Sequence, residues 1–252
     1  MRNMWQIIVG VVLAAGAGIA LYNALGDDGA TVAADRPVPT SSPSAAEAAP
    51  TEPAAGAANS EQAQVSVPAP DADYGEIAIG PDERVIGQAS APVTIVEYAS
   101  LTCPHCAQFH SQVLPSLKKD LIDTGKVRLV YRDFPLDRNA LAGSMLARCA
   151  GNDRYFAFLD VLFRDQSRWA RAQDPIQALS QIARLGGIGA EKFQGCLRDE
   201  KLQSNIIAQR LEGNQKYQVN STPTLIINGK KYSGGLTLDQ IKAVVSTITP
   251  KT

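Results

Sequence analysis

Two cysteines stand two residues apart in the run Cys103-Pro104-His105-Cys106. That spacing suits a dithiol that opens and closes a disulfide by exchange with other thiols. A β-rich stretch precedes the pair and a segment of helical periodicity follows it, so Cys103 is expected at a helix N-terminus. There it faces unpaired backbone N–H groups and the positive end of the helix dipole. Pro104 suits the first helical position, where its fixed φ and missing N–H do no harm. His105 can offer a hydrogen bond or a positive charge to a thiolate. All three features favour the Cys103 thiolate. Cys106, one turn further in, is expected to be more buried and to resolve a mixed disulfide.

A thiolate whose pKa falls from about 8.5 to about 3.5 stabilises the reduced form by about 5 kcal/mol at pH 7. For a two-electron couple this makes the site roughly 100 mV more oxidising. A dithiol tuned in that direction gives its disulfide away. Other uses of the pair fit less well. A zinc site drawing on Cys103, Cys106, His105 or His110 lacks a second C-x-x-C or a downstream His to complete it. A c-type haem needs His directly after the second cysteine, and position 107 is Ala. A purely structural bridge over two residues would staple almost nothing. No cofactor and no metal are therefore expected. His110 lies two turns after Cys103 and could line the site, but a plain surface histidine is the expected reading.

The elements that must position these residues follow from periodicity. Val93 to Tyr98 reads as a strand, with the weaker Arg84-Val85-Ile86 pairing beside it. Glu97 shares a strand face with Val93 and Ile95, which points it toward apolar company. A buried carboxylate there has a raised pKa and can shuttle a proton to or from the inner cysteine; the alternative is a solvated strand-end acid. From Pro104 a helix carries Phe109, Val113, Leu114, Leu117 and Leu121 at helical spacing, kinked at Pro115 and ended by Gly125. Val127 to Tyr131 is a second strand, parallel to the first across this β–α–β unit. A long helical section follows at about 138–215. Then come a strand at Thr224 to Ile227, an Asn228-Gly229 hairpin turn, a return at Lys230 to Tyr232, and a closing helix from Leu238 to Ile248. Cys149 and Cys196 both fall in the helical section. They make either a second disulfide or two buried free thiols.

Composition sets the surroundings. The 252 residues carry 24 basic and 25 acidic side chains, a net charge of −1, so no basic excess exists to track nucleic acid. Arg2 precedes an apolar run from Trp5 to Leu25, broken only by Gln6 and Asn23 and followed by Asp27 and Asp28. Residues 1–26 read as a membrane anchor of spanning length or as a cleaved signal peptide. Either places the remainder outside the cytoplasm, where disulfides persist. Residues 27–73 are rich in Ala and Pro, with no aromatic between Tyr22 and Tyr74, and read as a disordered linker. A coil of about 45 residues spans roughly 35–40 Å and would tether the folded part, 74–252.

The strand with Glu97, the Cys103-Pro104-His105-Cys106 run, the helical section and Ser221-Thr222-Pro223-Thr224 together resemble the DsbA-like family of thioredoxin-fold proteins. The resemblance covers roughly residues 80–250. It implies an α/β, thioredoxin-like fold with a helical domain inserted between the βαβ and ββα halves. It implies a periplasmic thiol–disulfide oxidoreductase acting on newly exported or unfolded proteins with free cysteines, recharged by a membrane quinone-linked thiol oxidase. It also implies a cis Thr222–Pro223 bond packed against the cysteines, where the ordinary expectation is trans, and leaves the Thr222 backbone to pair with an extended substrate. Two other uses of such a protein are disulfide isomerisation or reduction, and peptide binding without redox turnover.

Overall fold

The computed structural model describes residues 65–248. The anchor or signal reading for 1–26 and most of the linker reading lie outside the described residues. Among the described residues no helix is long and apolar enough to cross a membrane.

Six strands form one mixed sheet in the order β1-β6-β5-β3-β4-β2. They are β1 (Ala72–Asp73), β2 (Arg84–Ile86), β3 (Val93–Ala99), β4 (Val127–Asp133), β5 (Thr224–Ile227) and β6 (Lys230–Ser233). β3 and β4 run parallel, as their helical connection requires. β5 lies antiparallel on the other side of β3, with Glu97 opposite Leu225. The β5–β6 hairpin turns at Asn228 and Gly229, both with positive φ, the backbone form of the tightest hairpin turns.

Two strand expectations need correction. Arg84–Ile86 pairs antiparallel with β4, not with the Val93 strand, because β3 is already flanked by β4 and β5. Folded chain also begins before residue 74. Ala72 and Asp73 pair with Lys231 and Lys230, and Asp71 and Tyr74 extend the pairing through their backbone N–H groups. A two-residue strand among Ala, Pro and Asp leaves no alternation to read.

The helix that opens at the cysteines comprises α1 (Pro104–Gln108), a π-helical turn (Phe109–Val113), α2 (Leu114–Leu117) and a second π-helical turn (Lys118–Ile122). Pro115 has no N–H to continue the ladder, and the first wide turn sits directly upstream of it. The inserted helices are α3 (Arg138–Cys149), α4 (Asn152–Arg164), α5 (Gln166–Trp169), α6 (Pro175–Leu185), α7 (Ala190–Leu197) and α8 (Glu200–Tyr217). Asp137, Asp174 and Asp199 cap α3, α6 and α8 by accepting backbone N–H groups. The closing helix is α9 (Leu238–Ile248).

The insertion has a core of its own that reaches the active-site turn: Leu101, Cys103 and Cys106 pack with Leu146, Tyr155, Leu159, Leu162 and Trp169. A second core lies between the sheet and the helices of the first and last units, around Ile95, Leu129, Leu225 and Ile241. A third, around Val96, Tyr98 and Val130, meets α8. A Cβ at Gly213 of α8 would come within 2.6 Å of the Tyr98 ring, so glycine sets how closely this helix approaches the sheet. Cys149 and Cys196 are joined as a disulfide that ties α3 to α7, which excludes the free-thiol alternative.

Candidate active site

The last residue of β3 leads through Ser100, Leu101 and Thr102 to Cys103, the extended residue that precedes α1. The turn is held from several sides. Cys103 N–H donates to Ser100 O at 3.0 Å. Thr102 Oγ1 donates to Asp137 Oδ2 at 2.6 Å. From the insertion, Gln166 Nε2 donates to both Leu101 O and Cys103 O, at 2.8 and 2.9 Å. Pro104 is the first helical residue and is exposed, as is His105.

Both active-site thiols are unbonded, with Cys103 7% exposed and Cys106 fully buried. Their environments drive them apart. The Cys103 thiol is lowered to about 5, mainly by the hydrogen bond from Cys106, and further by the Thr222 side chain and the backbone N–H groups of Cys106 and His105; burial opposes this. Cys106 is pushed far up, first by burial, then by its bond to Cys103 and the nearby charges of Glu97 and Cys103. At pH 7 the lowered Cys103 favours the reduced form by up to about 3 kcal/mol, less what solvent screens. His105 contributes its backbone N–H, and its side chain makes no hydrogen bond among the described residues.

Thr222–Pro223 is cis and packs its backbone on the outer cysteine. The Cys103 thiol donates to Thr222 O at 3.2 Å, a bond available only to the protonated sulfur. Thr222 Oγ1 is buried and has no hydrogen-bond partner among the described residues. A hydroxyl so placed can donate to the thiolate, and the Thr222 side chain lowers the Cys103 thiol. Thr222 N–H makes no hydrogen bond among the described residues. Alongside lies a groove of about 620 Å³ walled by His105, Phe109, Val113, Thr222, Pro223 and Leu236.

Glu97 is wholly buried on β3, and its charge acts on Cys106. Its partner is His110, whose Nε2 lies 3.0 and 3.1 Å from the two carboxylate oxygens. His110 is thus no surface residue: it is 4% exposed, stacked on Phe163 at 4.0 Å. The sequence signal was available, because His110 is four residues beyond Cys106 and shares its helix face. Gln166 carried no such signal; it reaches the turn from an element more than sixty residues away.

A sheet of this topology, a C-x-x-C pair at a helix start, a buried acid beneath it and a cis-proline across from it together define a dithiol–disulfide protein of the thioredoxin class. Comparison with known proteins narrows this. The family model described as Thioredoxin matches residues 80–247, and the chain belongs to that family. The Wolbachia pipientis α-DsbA1 crystal structure superposes with a TM-score of 0.64 at 30% identity, covering 68% of this chain and 93% of that one. Oxidised BdbD from Bacillus subtilis gives 0.63 at 26% identity, covering 70% and 97%. A Rickettsia bellii protein, provisionally named a protein-disulfide oxidoreductase, is 34% identical over 152 residues, or 60% of this chain. The match spans 59% of that relative's length. Within its family the chain is DsbA-like in fold and sequence.

Proposed function

We propose that the protein is a periplasmic dithiol oxidase that donates its Cys103–Cys106 disulfide to exported proteins with free cysteines. The observation that carries this is the opposed tuning of the two sulfurs, an outer thiol lowered to about 5 beside a groove and an inner one pushed up in the core.

In the forward direction a substrate thiolate attacks Cys103 Sγ. The Cys103–Cys106 bond breaks, and Cys106 leaves with the bonding electron pair. Glu97, in its protonated form, supplies the proton that makes Cys106 a neutral thiol. The substrate's second thiolate then attacks its own sulfur in the mixed disulfide and expels Cys103. A low-pKa thiolate is a good leaving group, so release is fast. Two electrons pass from substrate to protein and a substrate disulfide forms. The free Thr222 N–H and the cis-proline suit an extended segment laid along the groove. A membrane quinone-linked thiol oxidase would return the pair to the disulfide, and the N-terminal segment would hold the domain near it.

Equilibration of the protein with glutathione buffers tests the reading. The expected potential is well above that of thioredoxin, about −270 mV, together with stoichiometric oxidation of a dithiol peptide. A potential as low as thioredoxin's would instead make the protein a reductase. Full biological activity of Cys103→Ala would leave peptide binding alone.

A further inference from the structure

A proton that reaches Cys106 from Glu97 must be replaced from outside, and Glu97 is sealed from solvent. Among the described residues its side chain has one hydrogen-bonding partner, His110. That ring sits in the π-helical turn, fixed by stacking on Phe163 at 4.0 Å and by an edge contact with Tyr131 at 5.8 Å. Nε2 faces the carboxylate, and the opposite nitrogen, Nδ1, has no hydrogen-bond partner among the described residues. His110 also walls a second cavity, of about 180 Å³, with Ser111, Pro115, Asp160, Phe163 and Arg164. Four of those neighbours, all but Phe163, are exposed, so the cavity meets water. It shares no residue with the substrate groove.

We propose that His110 is the outer link of the proton path serving Cys106, passing protons between Glu97 and water at this second cavity. The proposal rests on the reading of Glu97 given above. When Cys106 leaves as a thiolate it takes the carboxyl proton of Glu97. The carboxylate then takes the Nε2 proton of His110, while Nδ1 accepts one from water. The imidazole ends neutral, with its proton moved from one nitrogen to the other. Re-oxidation reverses the flow. The Nδ1 proton leaves to water as Nε2 takes the carboxyl proton of Glu97, and the carboxylate so formed takes the proton of Cys106, which leaves Glu97 protonated again. Each direction resets the tautomer for the other, and no charge accumulates in the core. The titratable and charged groups facing the ring are Glu97 from β3, Tyr131 from β4, and Asp160 and Arg164 from α4. Asp160 and Arg164 pair with each other at 3.5 Å, so the mouth carries no net charge from them. A path separate from the groove lets protons move while a substrate covers Cys103.

The test isolates a step that requires Cys106 to lose its proton. Cys103 is converted to its mixed disulfide with glutathione, and closure by Cys106, which expels glutathione thiolate, is followed by stopped flow. Alkylation of Cys103 by iodoacetamide is the control, because it needs no proton from Cys106. His110→Gln keeps a donor toward Glu97 but cannot relay. It is expected to slow closure by about tenfold or more with alkylation unchanged. In His110→Ala, added imidazole is expected to restore closure. Glu97→Gln should be slow at the same step. Slow Glu97→Gln with His110→Gln at the wild-type rate would overturn the relay and leave the role of Glu97 standing. Wild-type rates in both variants would overturn both. Equal slowing of closure and alkylation in His110→Gln would make His110 merely structural. Should the variants not fold, the proton inventory of closure in the wild-type protein decides. A curved dependence on deuterium fraction supports two protons in flight, and a straight line overturns the relay.

Discussion

The outer sulfur's chemistry depends on one hydroxyl as much as on the helix. Ultraviolet titration of the Cys103 thiolate should give a midpoint of about 5. Thr222→Val removes the buried, otherwise unpartnered hydroxyl and should raise that midpoint, while Thr222→Ser should keep it low. Both variants retain the carbonyl that holds the protonated thiol, so the difference reports the hydroxyl alone. Much at this scale was legible. Cys103, Pro104 and Cys106 announce themselves by spacing, and the period of the strand buries Glu97 beside Val93 and Ile95. His110 was misread because Ser111 and Gln112 after it are polar and exposed, and its partner lies on another element. The Thr222 hydroxyl was hidden for a different reason. Its importance comes from having no partner, a property of the folded surroundings and of no local pattern.

The active-site turn belongs to the sheet, yet the insertion grips it. Gln166→Leu would leave two turn carbonyls, Leu101 O and Cys103 O, without their donor and should cost about 1–3 kcal/mol in denaturant unfolding. The Cys149–Cys196 bridge holds the insertion from within by closing a separation of 47 residues. Replacing both with Ala should cost about 4 kcal/mol in the chain-entropy account, with Cys103 alkylation unaffected. Most elements could be read from apolar periodicity and turn residues, the closing helix from Leu238 to Ile248 among them. β1 and the partner of β2 could not. Two or three residues carry too little pattern to reveal a pairing, and which edge they join depends on which edges the longer strands leave open.

Across the whole molecule, the insertion and sheet are locked by buried charge. Arg132 of β4 donates to Glu83, to Tyr98 Oη and to Ala78 O. Gln209 of α8 donates to Glu83 and accepts from Asp133 N–H and Arg148. Arg132→Met leaves the mostly buried Glu83 without its cationic partner, with Gln209 as its remaining side-chain donor, and should cost about 3–5 kcal/mol. Redox state and stability are linked at the same scale. A thiol whose pKa drops from 9.0 to about 5 on folding adds stability to the reduced protein that is fully present above pH 9. This stability declines as pH falls and is gone below about 5. The gap between reduced and oxidised melting temperatures should therefore shift toward the oxidised form as pH is lowered from 8 to 4 in scanning calorimetry. The order of βαβ, insertion and ββα was readable from sequence. The lock was not, since Glu83, Arg132, Arg148 and Gln209 come from four separate stretches of chain.

The short β1 pairing acts as a guard rail. β6 would otherwise end the sheet with a row of open backbone groups, the kind of border along which molecules stack on one another. Asp71, Ala72, Asp73 and Tyr74 occupy that border, and the Asp71 carboxylate also accepts the Ser233 N–H at 2.7 Å. A chain trimmed to begin at residue 75 should keep its redox chemistry but self-associate as concentration rises, which sedimentation velocity would detect.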